Sequence, residues 1–139
     1  MKFIAILAFF AAIPCFAHLE LGEYRGVTEK GEACSFKVLT TGFAYDLAHP
    51  LNERATIEVQ GTQLQLSHPS QIDIEQNHVG FDHDHLTGVQ GTTYGGFAGV
   101  LTMSHAPGHH GPTVLTLVRH NYKNAADSSR ATCSDLAHQ

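Results

Sequence analysis

Alternation of apolar and polar residues is the dominant pattern along this chain. Segments 56–60 and 63–67 read Thr-Ile-Glu-Val-Gln and Gln-Leu-Gln-Leu-Ser. Successive side chains of a β-strand point to opposite faces, so this period of two predicts two half-buried strands. A tight turn at Gly61-Thr62 would place Val59 opposite Leu64. The buried face is then expected to consist of Ile57, Val59, Leu64 and Leu66.

Other segments have strand-like composition. Segments 19–27 and 33–40 flank Thr28-Glu29-Lys30-Gly31, which predicts a type I turn with Gly31 in a bulge position. Segments 97–103 and 113–122 are rich in β-branched and apolar residues, and we expect the intervening 104–112 to be a loop. No useful window shows the apolar spacing of an amphipathic helix.

These signals predict one all-β domain, 18–139, with about six to eight short strands. A small antiparallel β-barrel is favoured and a β-sandwich is the alternative. A group of glycines that interrupts strand-like sequence favours the barrel, because such glycines permit tight curvature. They are Gly88, Gly91, Gly95, Gly96 and Gly99.

The first 17 residues have the pattern of a secretory signal peptide. Lys2 precedes an apolar run over residues 3–13, and small residues, Cys15 and Ala17, occupy the −3 and −1 positions of a cut before His18. The run is too short for a membrane-spanning helix, and no later run is apolar enough to be one. The expected location is secreted or periplasmic. Lipid anchoring at Cys15 is the less favoured alternative, since Pro14 stands where lipoprotein signals usually have a small residue.

Charge and cysteines narrow the classes of function. The chain has 8 Lys and Arg against 13 Asp and Glu, a net charge of −5 with neutral histidines, and it has no basic run. Nucleic acid is therefore not an expected partner.

Once the leader is removed, Cys34 and Cys133 remain, and an even pair in an oxidising compartment predicts a disulfide. Free thiols or pairing with another chain are the alternatives.

The 11 histidines provide the main chemical lead. In the stretch Asp82-His83-Asp84-His85, an extended backbone would put both imidazoles on one face and both carboxylates on the other. Such imidazoles can bind Zn or Cu, and a carboxylate can orient them. The alternative is a solvated polar loop. His105, His109 and His110 form a second group, for which an exposed connection is the alternative. The predicted metal site combines all five: His83, His85, His105, His109 and His110.

A third possibility depends on processing. Cleavage after Ala17 would make His18 the amino terminus, where its amino group and imidazole could bind copper. This resembles the histidine brace of copper monooxygenases, and His18 alone carries the resemblance. No nucleophile elbow or phosphate loop is present and the carboxylates are scattered, so no catalytic residue is named.

The leading hypothesis is an exported, non-enzymatic binding module for a small ligand or a partner. A transition-metal-binding envelope protein is the alternative, and a copper enzyme that uses its amino-terminal histidine is a distant third.

Overall fold

The fold is a closed antiparallel barrel of eight strands, with a separate two-stranded sheet between the fourth and fifth barrel strands. The computed structural model describes residues 19–44, 52–73, 78–81, 84–92 and 95–139. The barrel order is β1-β10-β9-β8-β7-β4-β3-β2, and β5 pairs with β6. The strands are β1 (Gly22–Thr28), β2 (Ala33–Ala44), β3 (Asn52–Val59), β4 (Thr62–Ser67), β5 (Ser70–Asp73), β6 (His78–Phe81), β7 (His85–Thr92), β8 (Gly95–Ala106), β9 (His109–Asn121) and β10 (Ser129–His138).

The barrel prediction is confirmed, and the sandwich alternative is set aside. Within the described ranges, the one helical element is a short 3₁₀ turn, Ala125–Asp127. None of the described residues forms a helix long and apolar enough to cross a membrane. The β5–β6 hairpin was not predicted from the sequence.

The core is formed by the inward residues of the barrel strands, as the alternation requires. In β8, Phe97, Leu101 and Met103 are buried and lie two or four residues apart. The predicted buried face of β3 and β4 is confirmed, since Ile57, Val59, Leu64 and Leu66 are each at most 4% exposed.

The predicted register of β3 and β4 is wrong. Ile57 pairs with Leu64 and Val59 pairs with Thr62, so the turn residues are Gln60 and Gly61. Their φ angles are 51° and 73°, which suit a type I′ turn, the two-residue connection that matches strand twist. β-branched Thr62 suits a strand better than a turn. Moving the turn by one residue moves the pairing by two, so the same residues stay buried.

The predicted loop at 104–112 is also corrected. β8 continues to Ala106 and β9 begins at His109, so that His105 pairs with His110. Only Pro107 and Gly108 remain as the turn, with Gly108 at φ 82°. Proline followed by a glycine of positive φ is a favoured turn sequence.

The structure also bears on the predicted β1–β2 turn and on the predicted disulfide, and it agrees with both. Gly31 has φ 78°, and its amide donates to the Thr28 carbonyl at 2.9 Å in the β1–β2 turn. Cys34 and Cys133 form a disulfide with a Cα–Cα distance of 5.9 Å. The predicted signal peptide, with Cys15 and His18, lies outside the described residues.

Candidate functional site

The two ends of the barrel differ in chemistry. One end carries the Gln60-Gly61 turn and the connection from β9 to β10, and we call it the Arg119 end. The other end carries the Pro107-Gly108 turn and the exit of the chain from β4, and we call it the His68 end. Strands alternate in direction, so these features fall at opposite ends.

A cavity of about 510 Å³ opens at the Arg119 end. Leu115 and Leu117 of β9 point into the barrel and are buried. Arg119 is two residues further along the same strand, so alternation places its side chain on the same inward face. Phe97 is paired with Arg119 in register and is 8% exposed. The lining residues are Thr62, Gln90, Gly95, Gly96, Phe97, Arg119, His120, Asn121 and Asp127.

Arg119 is the positive charge of this cavity. Its Cζ atom lies 5.0 Å from the centre of the Phe97 ring, within range of a cation–π interaction. In the described part of the chain, the guanidinium makes no hydrogen bond or ion pair. Its five N–H donors are therefore available to a ligand.

The rim of the cavity is held by local hydrogen bonds. The Asn121 side-chain oxygen accepts from the amides of Lys123 and Asn124 at 2.9 and 3.2 Å. Asp127 accepts from the side-chain amides of Asn121 and Asn124 at 3.4 and 3.1 Å. These bonds fix the connection from β9 to β10, so the rim is organised before any ligand binds.

The His68 end contains a buried acid–imidazole pair. Glu53 lies in β3 and His68 directly follows β4, each one position beyond the paired residues Arg54 and Ser67. Both side chains are 2% exposed, with His68 Nε2 3.8 Å from Glu53 Oε2. His68 Nδ1 lies 2.8 Å from the carbonyl oxygen of His85.

Tyr24 belongs to the same electrostatic environment. Burial raises the pKa of its hydroxyl, and the carboxylates of Glu20 and Glu53 raise it further, while a hydrogen bond from the Glu20 amide opposes the shift. That amide donates to the Tyr24 oxygen at 3.0 Å. The tyrosine ring stacks on Phe36 with centroids 5.2 Å apart. The neutral phenol is thus favoured beside a buried carboxylate.

The structure brings together only part of the predicted histidine cluster. His105 and His110 are opposite one another with ring centroids 6.4 Å apart, and His105 Nε2 is 3.6 Å from Asp84 Oδ1. His85 is the first residue of β7 and precedes the buried Leu86, so its side chain faces away from the core.

Among the described residues, the other predicted ligands do not complete a site. His109 is exposed next to the turn, and His83 and Asp82 lie outside the described residues. No group of three His, Cys, Asp or Glu suited to a metal ion occurs within the described ranges. Binding of Zn or Cu by the five histidines stays a prediction.

Sequence reasoning missed Glu53, His68 and Arg119. The signal was present in the alternation. Glu53 has the parity of Ala55 and Ile57, and His68 that of Leu64 and Leu66. Polar residues at inward positions are candidates for a site, because burial of an unpaired polar group is unfavourable.

Comparison of the chain with known protein families, with curated proteins and with solved structures finds no match.

Proposed function

We propose that this protein is an exported binding module whose Arg119 end takes up a small organic anion. The observation that carries the proposal is the cavity of about 510 Å³ in which the Arg119 guanidinium lies over Phe97. This volume is within the range of about 300–1,000 Å³ typical of small-molecule sites. Eight-stranded barrels are also of a size that can hold one small ligand.

The charged, apolar and polar residues that line the cavity favour one chemical class of ligand. A guanidinium presents parallel N–H donors that match a carboxylate or phosphate group. Phe97, which is 8% exposed, contributes the apolar part of the lining beside the guanidinium. Thr62 and Gln90 contribute uncharged polar residues. The favoured ligand therefore has one anionic group attached to a flat apolar body.

Export is part of the same proposal. The apolar run over residues 3–13 and the small residues before His18 support a leader sequence. The Cys34–Cys133 disulfide is typical of proteins in oxidising compartments. Mass spectrometry of the exported protein tests it: the expected chain starts at His18, whereas a diacylglyceryl group on Cys15 would contradict it.

Ligand binding is tested with a panel of aromatic carboxylates and their neutral amides. We expect the carboxylates to bind saturably and to shift NMR signals of residues around Phe97, with the amides at least tenfold weaker. Arg119→Gln should weaken carboxylate binding at least tenfold, because a charge-assisted hydrogen-bond pair is lost.

Arg130→Gln is the matched control. Arg130 is an exposed arginine on β10 that does not line the cavity, so its loss should change affinity less than twofold. Equal weakening by both substitutions would indicate a general charge effect. Binding that persists unchanged in Arg119→Gln would place the ligand elsewhere and overturn the proposal.

A further inference from the structure

The buried carboxylate of Glu53 makes no hydrogen bond with the described residues, although His68 Nε2 lies 3.8 Å from its Oε2. The residue is 1% exposed, and neither Oε1 nor Oε2 has a hydrogen-bond partner among the described residues. Burying an ionised carboxylate without a partner is costly, so such groups are paired, protonated or bound to metal. The Arg119 cavity is at the opposite end of the barrel and does not involve this group.

The orientation of His68 is fixed by the backbone of β7. A carbonyl oxygen only accepts hydrogen bonds, so the short contact of 2.8 Å to the His85 carbonyl requires that Nδ1 of His68 carries the proton. When the ring is neutral, its lone pair is on Nε2, the nitrogen that lies 3.8 Å from Glu53 Oε2. Metal-binding histidines almost always donate the other ring N–H in this way.

With His68 neutral, two acceptors face each other inside the barrel. Their separation of 3.8 Å is too long for a hydrogen bond between Nε2 and Oε2. A tetrahedral ion about 2.0–2.2 Å from each atom would hold them about 3.4 Å apart. A side-chain adjustment of about 0.4 Å would bring both atoms into such an arrangement.

We propose that Glu53 and His68 form a binding site for a divalent first-row transition-metal ion. An imidazole nitrogen with a carboxylate oxygen suits Zn²⁺, Ni²⁺ or Cu²⁺ rather than Ca²⁺ or Mg²⁺. The ion would balance the buried carboxylate, and water would complete its coordination. This pair is separate from the His105–His110 pair and rests on an observation independent of the anion site.

Calorimetric titration of the purified protein with Zn²⁺ tests the site. We expect Glu53→Gln and His68→Gln each to weaken the tightest Zn²⁺ binding at least tenfold, because each removes one of two protein ligands. His138→Gln is the matched control, on an exposed histidine outside both the proposed pair and the predicted five-histidine cluster, and it should change Zn²⁺ binding less than twofold. Zn²⁺ binding that survives in Glu53→Gln and His68→Gln would overturn the proposal.

A second measurement needs no substitution at a buried position. In the ¹⁵N spectrum of the histidine rings, Zn²⁺ should shift the Nε2 signal of His68 while Nδ1 stays protonated. Competition by protons should weaken this binding as the pH falls. If saturating Zn²⁺ leaves both His68 ring nitrogens unmoved, the pair binds only a proton and the metal site does not exist.

Discussion

Gly88 lies where β7 approaches the backbone of β4 closely. A Cβ atom added there would overlap the main-chain oxygen of Gln65 and approach Leu66 Cδ2 to 2.8 Å. The backbone of β4 cannot withdraw without loss of barrel pairing. We therefore expect Gly88→Ala to destabilise the protein by about 1–3 kcal/mol, the usual cost of overpacking, as measured by urea unfolding.

Gly91 provides the matched control in the same strand. A Cβ atom there meets nothing within 4 Å, so Gly91→Ala should change the free energy of unfolding by less than about 0.5 kcal/mol. If the two substitutions cost the same amount, the loss comes from the backbone preferences of alanine and not from a close approach between strands.

Inward polar residues show what the alternating pattern does not predict, namely how deep in the barrel a position lies. The alternation that correctly predicted Ile57 and Leu64 as core also assigns Glu53, His68 and Arg119 to the inward side. Sequence alone does not show whether an inward polar position is deep in the core or at a mouth. Glu53 is buried and Arg119 is exposed, and that difference depends on where each strand ends in the barrel.

At the scale of elements, the β3–β4 turn yields a prediction. Gln60 has φ 51°, a region that costs an ordinary L-residue about 1–2 kcal/mol and that Asn tolerates better. Gln60→Asn should therefore raise the free energy of unfolding by about 0.5 kcal/mol, measured by urea unfolding. Gln63→Asn, on the exposed face of β4, is the control. It should give no gain, because Asn is unfavourable in strands.

A gain in both variants would mean that Asn acts through the unfolded state. No change in Gln60→Asn would show that the left-handed conformation at this turn carries no strain.

The hairpin of β8 and β9 explains why its loop prediction failed. His105, His109 and His110 broke the apolar pattern, so the segment resembled a loop. Polar residues nevertheless continue a strand beyond the core, because cross-strand hydrogen bonds do not depend on buried side chains. The alternation reports burial, so it could not reveal a strand that projects past the barrel end.

At the scale of the whole molecule, barrel closure and the disulfide are related. Strand β1 lies between β2 and β10, and Cys34 and Cys133 join those two outer strands. Gly26 pairs with Cys34, and a Cβ built on it would lie 3.2 Å from the Cys133 sulfur. The disulfide therefore passes beside β1 at a position where glycine, which has no side chain, leaves room for the Cys133 sulfur. The sequence predicted the covalent pair, but the strand between them follows from the closed order of the barrel.

Removal of this disulfide should affect global stability more than any other substitution considered above. The bond closes a loop with a sequence separation of 99 residues, and the chain-entropy model gives about 4–5 kcal/mol for a loop of that length. The paired variant Cys34→Ala/Cys133→Ala should lose most of this amount in urea unfolding, while its NMR spectrum keeps the signals of a folded β-barrel. A reducing agent should destabilise the parent to a similar extent and leave the variant unaffected. This comparison separates loss of the bond from damage to packing at half-buried Cys34 and buried Cys133. A loss below about 1 kcal/mol would show that the unfolded chain is already compact enough to hold β2 near β10.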